Sequence, residues 1–269
     1  MLIQATYACS MGCSHCMSDC KPDGQHMSVK TFSDALDFMN NHEIFVWPFS
    51  GGEMFENPDI LQMLEVIEDK WNEHKNNTHQ IIFITNGRKL VRDSEIYNAV
   101  FNMYKRHRKQ VLIQVTDDPR FYPDKLTDKE KYWLRKMDAV AEEVPGDIFD
   151  KNKCLYPQGR ALDNYSESNW NTVGPKCANV RLLVKQRINN IHDLYVYLLN
   201  SGKICTPVIA PDGSIKVGES ALCPSVATIY DSDKEIMDKI NKFKCMQCKI
   251  PWSIMEEKNS LAYHILTEE

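Results

Sequence analysis

No apolar run in this sequence reaches the roughly 18–20 residues needed to span a bilayer, so no membrane-spanning helix is expected. A charged leader followed by a long apolar stretch is also missing. Met1, Leu2 and Ile3 are the only apolar start, which argues against secretion and for a cytoplasmic chain. A broad basic field is lacking too: 32 Lys and Arg stand against 37 Asp and Glu, a net charge of −5, which gives no footing for nucleic acid. The one basic cluster, Lys105-Arg106-His107-Arg108-Lys109, reads as a solvated helix C-terminus, where cations meet the negative end of the dipole. There is no internal repeat and no low-complexity segment. What remains is 269 residues, 43% hydrophobic, enough for one large domain and a small appendage.

Cysteine is plentiful, with ten in the chain, and in an intracellular protein that points to metal ligation more than to disulfides. Cys9, Cys13 and Cys16 are spaced C-x3-C-x2-C just after a short apolar strand. Three thiolates so placed can hold a [4Fe–4S] cluster and leave one iron without a protein ligand. Zinc sites usually show paired C-x2-C units; here the first gap is three residues, and a fourth local ligand would have to be His15 or Cys20. Gly12 lets the backbone fold tightly between the first two thiols.

Strands and helices alternate along the first two thirds. Residues 2–8 read as a strand; Ser28 caps a helix with Phe32, Leu36 and Met39 at helical spacing. Residues 43–49 make a second strand, and Asn57-Pro58 opens a helix carrying Ile60, Leu61, Leu64, Val66 and Ile67. Strands follow at 80–85 and 111–116 with a helix over 90–109 between them, then a helix over 126–137 and strands at 138–144 and 179–185. The alternation predicts an α/β fold with a parallel sheet and right-handed crossovers. In such sheets the ligand site lies at the carboxyl ends of the strands.

The cysteine spacing resembles the signature of the radical S-adenosylmethionine (AdoMet) superfamily, and a second element supports the resemblance. Ser50-Gly51-Gly52-Glu53, after the second strand and about 35 residues beyond Cys16, resembles that family's GGE motif, with Met54 in place of the frequent proline. The family implies a (β/α)6 partial TIM barrel, expected here over residues 1–190. It also implies AdoMet chelated by the open iron of a cluster on Cys9, Cys13 and Cys16. By the same resemblance Gly51, Gly52 and Glu53 would meet the AdoMet ammonium, and Thr85-Asn86-Gly87 would line the site. Gln114, Thr116 and Asp117 would face the ribose hydroxyls, His15 would approach the adenine through its backbone, and Arg160 would pair with the carboxylate.

The C-terminal third carries a further set of thiols. Cys205 precedes a Pro211-Asp212-Gly213 hairpin turn signal, Gly218-x4-Cys223 follows, and Cys245-x2-Cys248 comes after a helical segment over 233–243. Four thiolates in this order suit either tetrahedral zinc or a fully ligated [4Fe–4S] cluster. The Gly-x4-Cys element resembles the Twitch domain, a shortened SPASM domain with one auxiliary cluster, expected over residues 191–269; no further cysteine follows Cys248. Cys20, Cys154 and Cys177 read as structural thiols.

The resemblance implies two [4Fe–4S] clusters, AdoMet, and a low-potential electron donor of the flavodoxin or ferredoxin kind. It implies hydrogen abstraction from a peptide or protein substrate with net two-electron oxidation; dehydrogenation of a small polar metabolite such as an amino-sugar or cyclitol alcohol is the alternative. The first strand begins almost at Met1, so no peptide-clasping domain is expected ahead of the barrel. No catalytic base is assigned.

Overall fold

A computed structural model describes residues 1–74, 80–144, 152, 154–170, 190–193, 207–220 and 223–242. The chain divides into two compact units. The first comprises Met1–Ser14, Cys20–Val144 and Ile209–Gly213; the second comprises His15–Asp19, Pro145–Val208 and Ser214–Glu269.

The first unit is an α/β layer. Strands β1 (Leu2–Thr6), β2 (Val46–Gly51), β3 (Gln80–Thr85), β4 (Val111–Thr116) and β5 (Ala141–Glu142) lie side by side in the order β5-β4-β3-β2-β1. Every neighbouring pair among them is parallel, as the alternation predicts. Helices α1 (Val29–Asn41), α2 (Ile60–His74), α3 (Arg88–Arg92), α4 (Ser94–Arg106) and α5 (Asp128–Arg135) supply the crossovers.

Period-2 burial shows how the layer closes. Trp47, Phe49, Ile81, Phe83, Val111, Ile113 and Val115 are buried. Helices α1 and α2 pack on this face: Phe32 meets Phe49 with centroids 5.4 Å apart, and Trp71 stands edge-on to Trp47 at 6.4 Å. Each such ring contributes roughly 2–3 kcal/mol by burial. The opposite face is more open in β2 to β4, with Leu112 at 38% exposure and Gln114 exposed.

Ser28 caps α1 by accepting from the Thr31 N–H at 3.1 Å, and Phe32, Leu36 and Met39 are fully buried, as their spacing predicts. The buried stripe of α2 is Ile60, Met63, Leu64, Ile67 and Trp71; Leu61, which the sequence placed on that face, is 37% exposed because it lies off the stripe. The helix expected over 90–109 is broken. Asp93 adopts extended geometry and its side chain accepts from the N–H groups of Glu95 and Ile96, starting α4 afresh. The basic run ends α4 as expected, with Arg106 on Glu68 at 2.6 Å and Arg108 on Asp138 at 3.3 Å.

Two strands differ from their expected limits. β2 begins three residues late because Glu43, at φ 55°, closes α1 in the left-handed region and the Ile44 N–H returns to Met39 O. β5 spans Ala141–Glu142 alone, since Asp138, at φ 53°, ends the preceding helix and the Val144 N–H goes to the Asp118 carboxylate. The strand expected at 179–185 lies outside the described residues.

In the second unit, α6 (Ala161–Asn164) follows the connection after β5. β6 (Val208–Ile209) stands at the division between the units. The Pro211-Asp212-Gly213 turn is present, with Gly213 at φ 81° and its N–H on Ala210 O at 2.9 Å. β7 (Ser214–Lys216) and β8 (Ser225–Thr228) pair antiparallel, and α7 (Asp233–Lys242) packs on β8.

Candidate active site

The exit of β1 is fixed by the chain that returns after the cysteine loop. Tyr7 N–H bonds Gln25 O at 2.8 Å, Cys9 N–H bonds Lys21 O at 2.9 Å, and Met27 N–H bonds Ala5 O at 3.0 Å. Thr6 Oγ1 accepts from the Ala8 N–H and lies 2.8 Å from His26 Nδ1. Gly12 has φ 67°, the left-handed turn expected of it, and a Cβ added there would meet nothing within 4 Å.

Cys9, Cys13 and Cys16 are not joined in disulfides; Cys9 and Cys16 are half-buried and Cys13 is buried. Burial pushes the Cys9 thiol up to about 12; a hydrogen bond from Met11 opposes this, and Glu53, Glu56 and Cys13 add to it. Among the described residues no three His, Cys, Asp or Glu side chains converge on a point that would hold a single ion. A single zinc needs such convergence, whereas a [4Fe–4S] cluster takes each thiolate on a different iron. Three thiols on one loop are the donor set that such a cluster takes.

The glycine loop lies directly against β1. Gly52 N–H bonds Thr6 O at 2.7 Å and Glu53 N–H bonds Ala8 O at 2.8 Å. A Cβ on Gly52 would stand 2.1 Å from Ala8 O, and one on Gly51, at φ 124°, would stand 2.2 Å from Thr6 O. Side chains are therefore excluded here by the neighbouring strand end, before any ligand is considered. Glu53 is fully buried; its carboxylate accepts from Thr85 Oγ1 at 2.7 and 2.8 Å, from the Asn86 N–H at 2.8 Å and from the Phe55 N–H at 3.3 Å. Gly51-Gly52-Glu53 and Thr85-Asn86-Gly87, read separately in the sequence, are one hydrogen-bonded unit.

At the end of β4 the residues expected to meet the ribose part company. Gln114 is exposed and Thr116 half-buried. Asp117 is buried and turned into the protein: it is paired with Arg88, bonds Lys131 at 3.0 Å and accepts from the Leu126 N–H at 3.4 Å. Although burial works against it, Lys131 and Arg88 hold its carboxyl below the usual range.

In the second unit Arg160 donates its backbone N–H to Cys16 O at 3.0 Å, and its Nε lies 3.9 Å from Asp19. Gly159, at φ 54°, presses on the same segment: a Cβ would stand 2.3 Å from Cys16 O. His15 is half-buried. Ser18 Oγ donates to Glu219 O at 2.9 Å, beside the Gly218-x4-Cys223 element, where Cys223 is buried and its N–H bonds Ser220 O at 3.0 Å. Cys205, Cys245 and Cys248 lie outside the described residues.

Sequence reading missed three supporting side chains. Asn57 was read as a helix start, yet its buried Nδ2 donates to Ala5 O and Met27 O. Arg88 carried no motif signal, and Glu56, which bonds Ser10, was hidden beside the GGE motif. Glu56 and Ser10 also line a cleft of about 430 Å³.

The chain shares its fold with radical AdoMet enzymes. It is similar to native anSMEcpe with bound AdoMet (TM-score 0.55, 15% identity, 98% of this chain and 87% of that one). It is similar to BtrN in complex with AdoMet and 2-DOIA (TM-score 0.54, 11% identity, 94% and 88%). It is also similar to Streptococcus suis SuiB bound to precursor peptide SuiA (TM-score 0.51, 13% identity, 99% and 75%). In sequence it is 19% identical over 116 residues to the antilisterial bacteriocin subtilosin biosynthesis protein AlbA of Bacillus subtilis (strain 168), a match spanning 43% of this chain and 23% of AlbA. No family model matches. Among the described residues no helix is long and apolar enough to cross a membrane.

Proposed function

We propose that this chain is a radical AdoMet oxidoreductase that abstracts a hydrogen atom from a peptide or protein and completes a two-electron oxidation of it. The observation that carries the reading is the disulfide-free C-x3-C-x2-C loop at the exit of β1, in a fold shared with AdoMet-bound proteins. Cys9, Cys13 and Cys16 would hold the first [4Fe–4S] cluster, and Cys205, Cys223, Cys245 and Cys248 an auxiliary one. Bound there, these groups and AdoMet would supply a 5′-deoxyadenosyl radical and an acceptor for the second electron, with a flavodoxin- or ferredoxin-like donor as reductant.

The chain's own part is positional. Glu53, spent on Thr85, Asn86 and Phe55, keeps the ends of β2 and β3 in register, so recognition of the AdoMet ammonium falls to the loop's main-chain carbonyls. Gln114, exposed on the open face of β4, would meet hydroxyls of a ligand, and half-buried Thr116, whose side chain bonds Tyr122, would have to exchange that bond to do so, whereas Asp117 serves through its Arg88 pairing. Arg160, tied to Cys16 O, stands at the cysteine loop where a carboxylate partner is useful.

A peptide substrate is supported by the neighbours solved with peptides, SuiB with SuiA and anSMEcpe with Cp18Cys, and by AlbA, a bacteriocin biosynthesis protein. A second reading, dehydrogenation of a small polar metabolite, is supported by BtrN, solved with 2-DOIA. Because the chain matches under a quarter of AlbA, the substrate is carried by likeness alone.

The test is anaerobic reconstitution, iron and sulfide analysis, then dithionite and AdoMet, with 5′-deoxyadenosine followed by mass spectrometry. About eight irons, and nucleoside formed by wild type but not by Cys9→Ala/Cys13→Ala/Cys16→Ala, are expected. About four irons would remove the auxiliary cluster from the reading. Failure of the loaded protein to bind AdoMet would leave a non-catalytic iron–sulfur scaffold.

A further inference from the structure

Ser10, the first residue of the cysteine loop, is held by both oxygens of one carboxylate. Its backbone N–H donates to Glu56 Oε2 at 2.9 Å and its hydroxyl to Glu56 Oε1 at 2.7 Å. Glu56 is itself fixed, since its N–H bonds Glu53 O at 2.9 Å and the Glu53 N–H bonds Ala8 O at 2.8 Å. Ala8, Cys9, Ser10, Glu56 and Glu53 therefore form a closed hydrogen-bonded ring that runs through a cysteine expected to be a cluster ligand. Two physical consequences follow. The Ser10 N–H is committed to a carboxylate and is withdrawn from any sulfur it could otherwise serve as a donor. A formal negative charge also sits one residue from Cys9. Hydrogen bonds to cluster sulfurs and positive surroundings raise the potential of an iron–sulfur centre, so both consequences lower it.

We propose that Glu56 is a positioning residue that anchors the cysteine loop through Ser10 and keeps the reduction potential of the cluster held there low. This rests on the radical AdoMet reading above. It adds a role for a residue that touches neither thiol nor AdoMet in that scheme, and its tests are separable from activity.

The experiment is anaerobic midpoint titration of the reconstituted full-length chain, following the electron paramagnetic resonance signal that AdoMet perturbs, with iron retention measured beside a chelator. Glu56→Gln, which removes the charge and half of the acceptor capacity, should shift the midpoint to more positive values and speed iron loss. Ser10→Ala, which leaves the charge in place and removes only the hydroxyl bond, should speed iron loss with a smaller shift. Should Glu56→Gln fail to fold, Glu56→Asp, which keeps the charge on a shorter side chain, should lose iron faster at a near-native midpoint. A loaded wild type with an unchanged midpoint in Glu56→Gln would overturn this proposal alone. A wild type that shows no AdoMet-perturbed cluster signal would overturn the functional reading, and this proposal with it.

Discussion

Thr85 Oγ1 lies 2.7 and 2.8 Å from the two oxygens of the buried Glu53 carboxylate, tying the end of β3 to the end of β2. Burial pushes this carboxyl up to about 7, with Thr85, Asn86 and Phe55 opposing the shift and Glu56 adding to it. Between its ordinary value near 4.5 and about 7 the folded chain binds more protons at Glu53 than the unfolded chain does. Stability of the ligand-free protein should therefore fall as pH rises through that window and level off above it, with an amplitude of up to about 3 kcal/mol. Glu53→Gln should remove that slope and cost about 1–3 kcal/mol near neutrality, because the amide turns a donor toward the Asn86 N–H. Urea unfolding at a series of pH values checks both; an undiminished slope in the variant would place the titration elsewhere.

Glycines of the site should differ sharply in what alanine costs. At Gly52 the new methyl would meet the Ala8 carbonyl at 2.1 Å, and backbone cannot retreat as a flexible side chain can. At Gly12 there is open space and only the left-handed φ of 67° resists. Gly52→Ala is expected to destabilise by roughly 3 kcal/mol or more, Gly12→Ala by about 1–2 kcal/mol. Thermal unfolding of the two variants under one condition would show the order, and equal losses would refute it.

How far the sequence carries the argument differs from element to element. Phe32, Leu36 and Met39 declare α1 because a buried helical stripe needs their spacing, and alternating strands and helices declare the parallel sheet. Leu61 misled because apolar residues outnumber the positions a stripe can bury. Asp93 breaks a long apolar-periodic run by side-chain capping, a local competition that periodicity does not register. At the site, the motif residues come from short fixed spacings and were legible. The bond from Thr85 to Glu53 and the pairing of Asp117 with Arg88 join distant segments, so their roles emerge only once the sheet is assembled.

The first turn of α5 offers a second pH test of opposite sign. Thr127 and Glu130 form a capping box, and Arg92 bonds Glu130 at 2.6 Å. Burial works to raise the Glu130 carboxyl, but Arg92 and Thr127 outweigh it and hold it at about 2. Its folded pKa is depressed, so its contribution is present above its ordinary value of 4.5 and lost as pH falls from there toward 2. Glu130→Gln should flatten the acid limb of the stability profile without altering its shape above pH 5 or so. Thr127→Ala should cost about 1 kcal/mol near neutrality and keep most of the acid limb, because the Arg92 bond and the Thr127 N–H bond to Glu130 remain. Circular dichroism melts from acid to neutral pH distinguish the two patterns.

Asn57 offers the most discriminating substitution in the scaffold beneath the site. It is 1% exposed, its Nδ2 donates to Ala5 O at 2.9 Å and Met27 O at 3.0 Å, and its Oδ1 accepts from the Asp59 N–H at 2.9 Å. Ala5 O keeps a second donor in the Met27 N–H, whereas among the described residues no backbone N–H bonds Met27 O. Asn57→Leu should therefore lose about 2–4 kcal/mol at any pH, through a stranded carbonyl and an uncapped turn. Asn57→Asp should lose more at pH 7, since a carboxylate would face two carbonyl oxygens, and its pKa should rise above the ordinary value of about 3.9. Protonation restores a donor. Relative to wild type at the same pH, the Asp variant should regain stability on acidification toward that raised value, while the Leu variant should not. Urea midpoints at pH 7 and pH 4.5 decide it: an Asp variant that regains no more on acidification than the Leu variant would mean that the amide's donors are not what Ala5 O and Met27 O require.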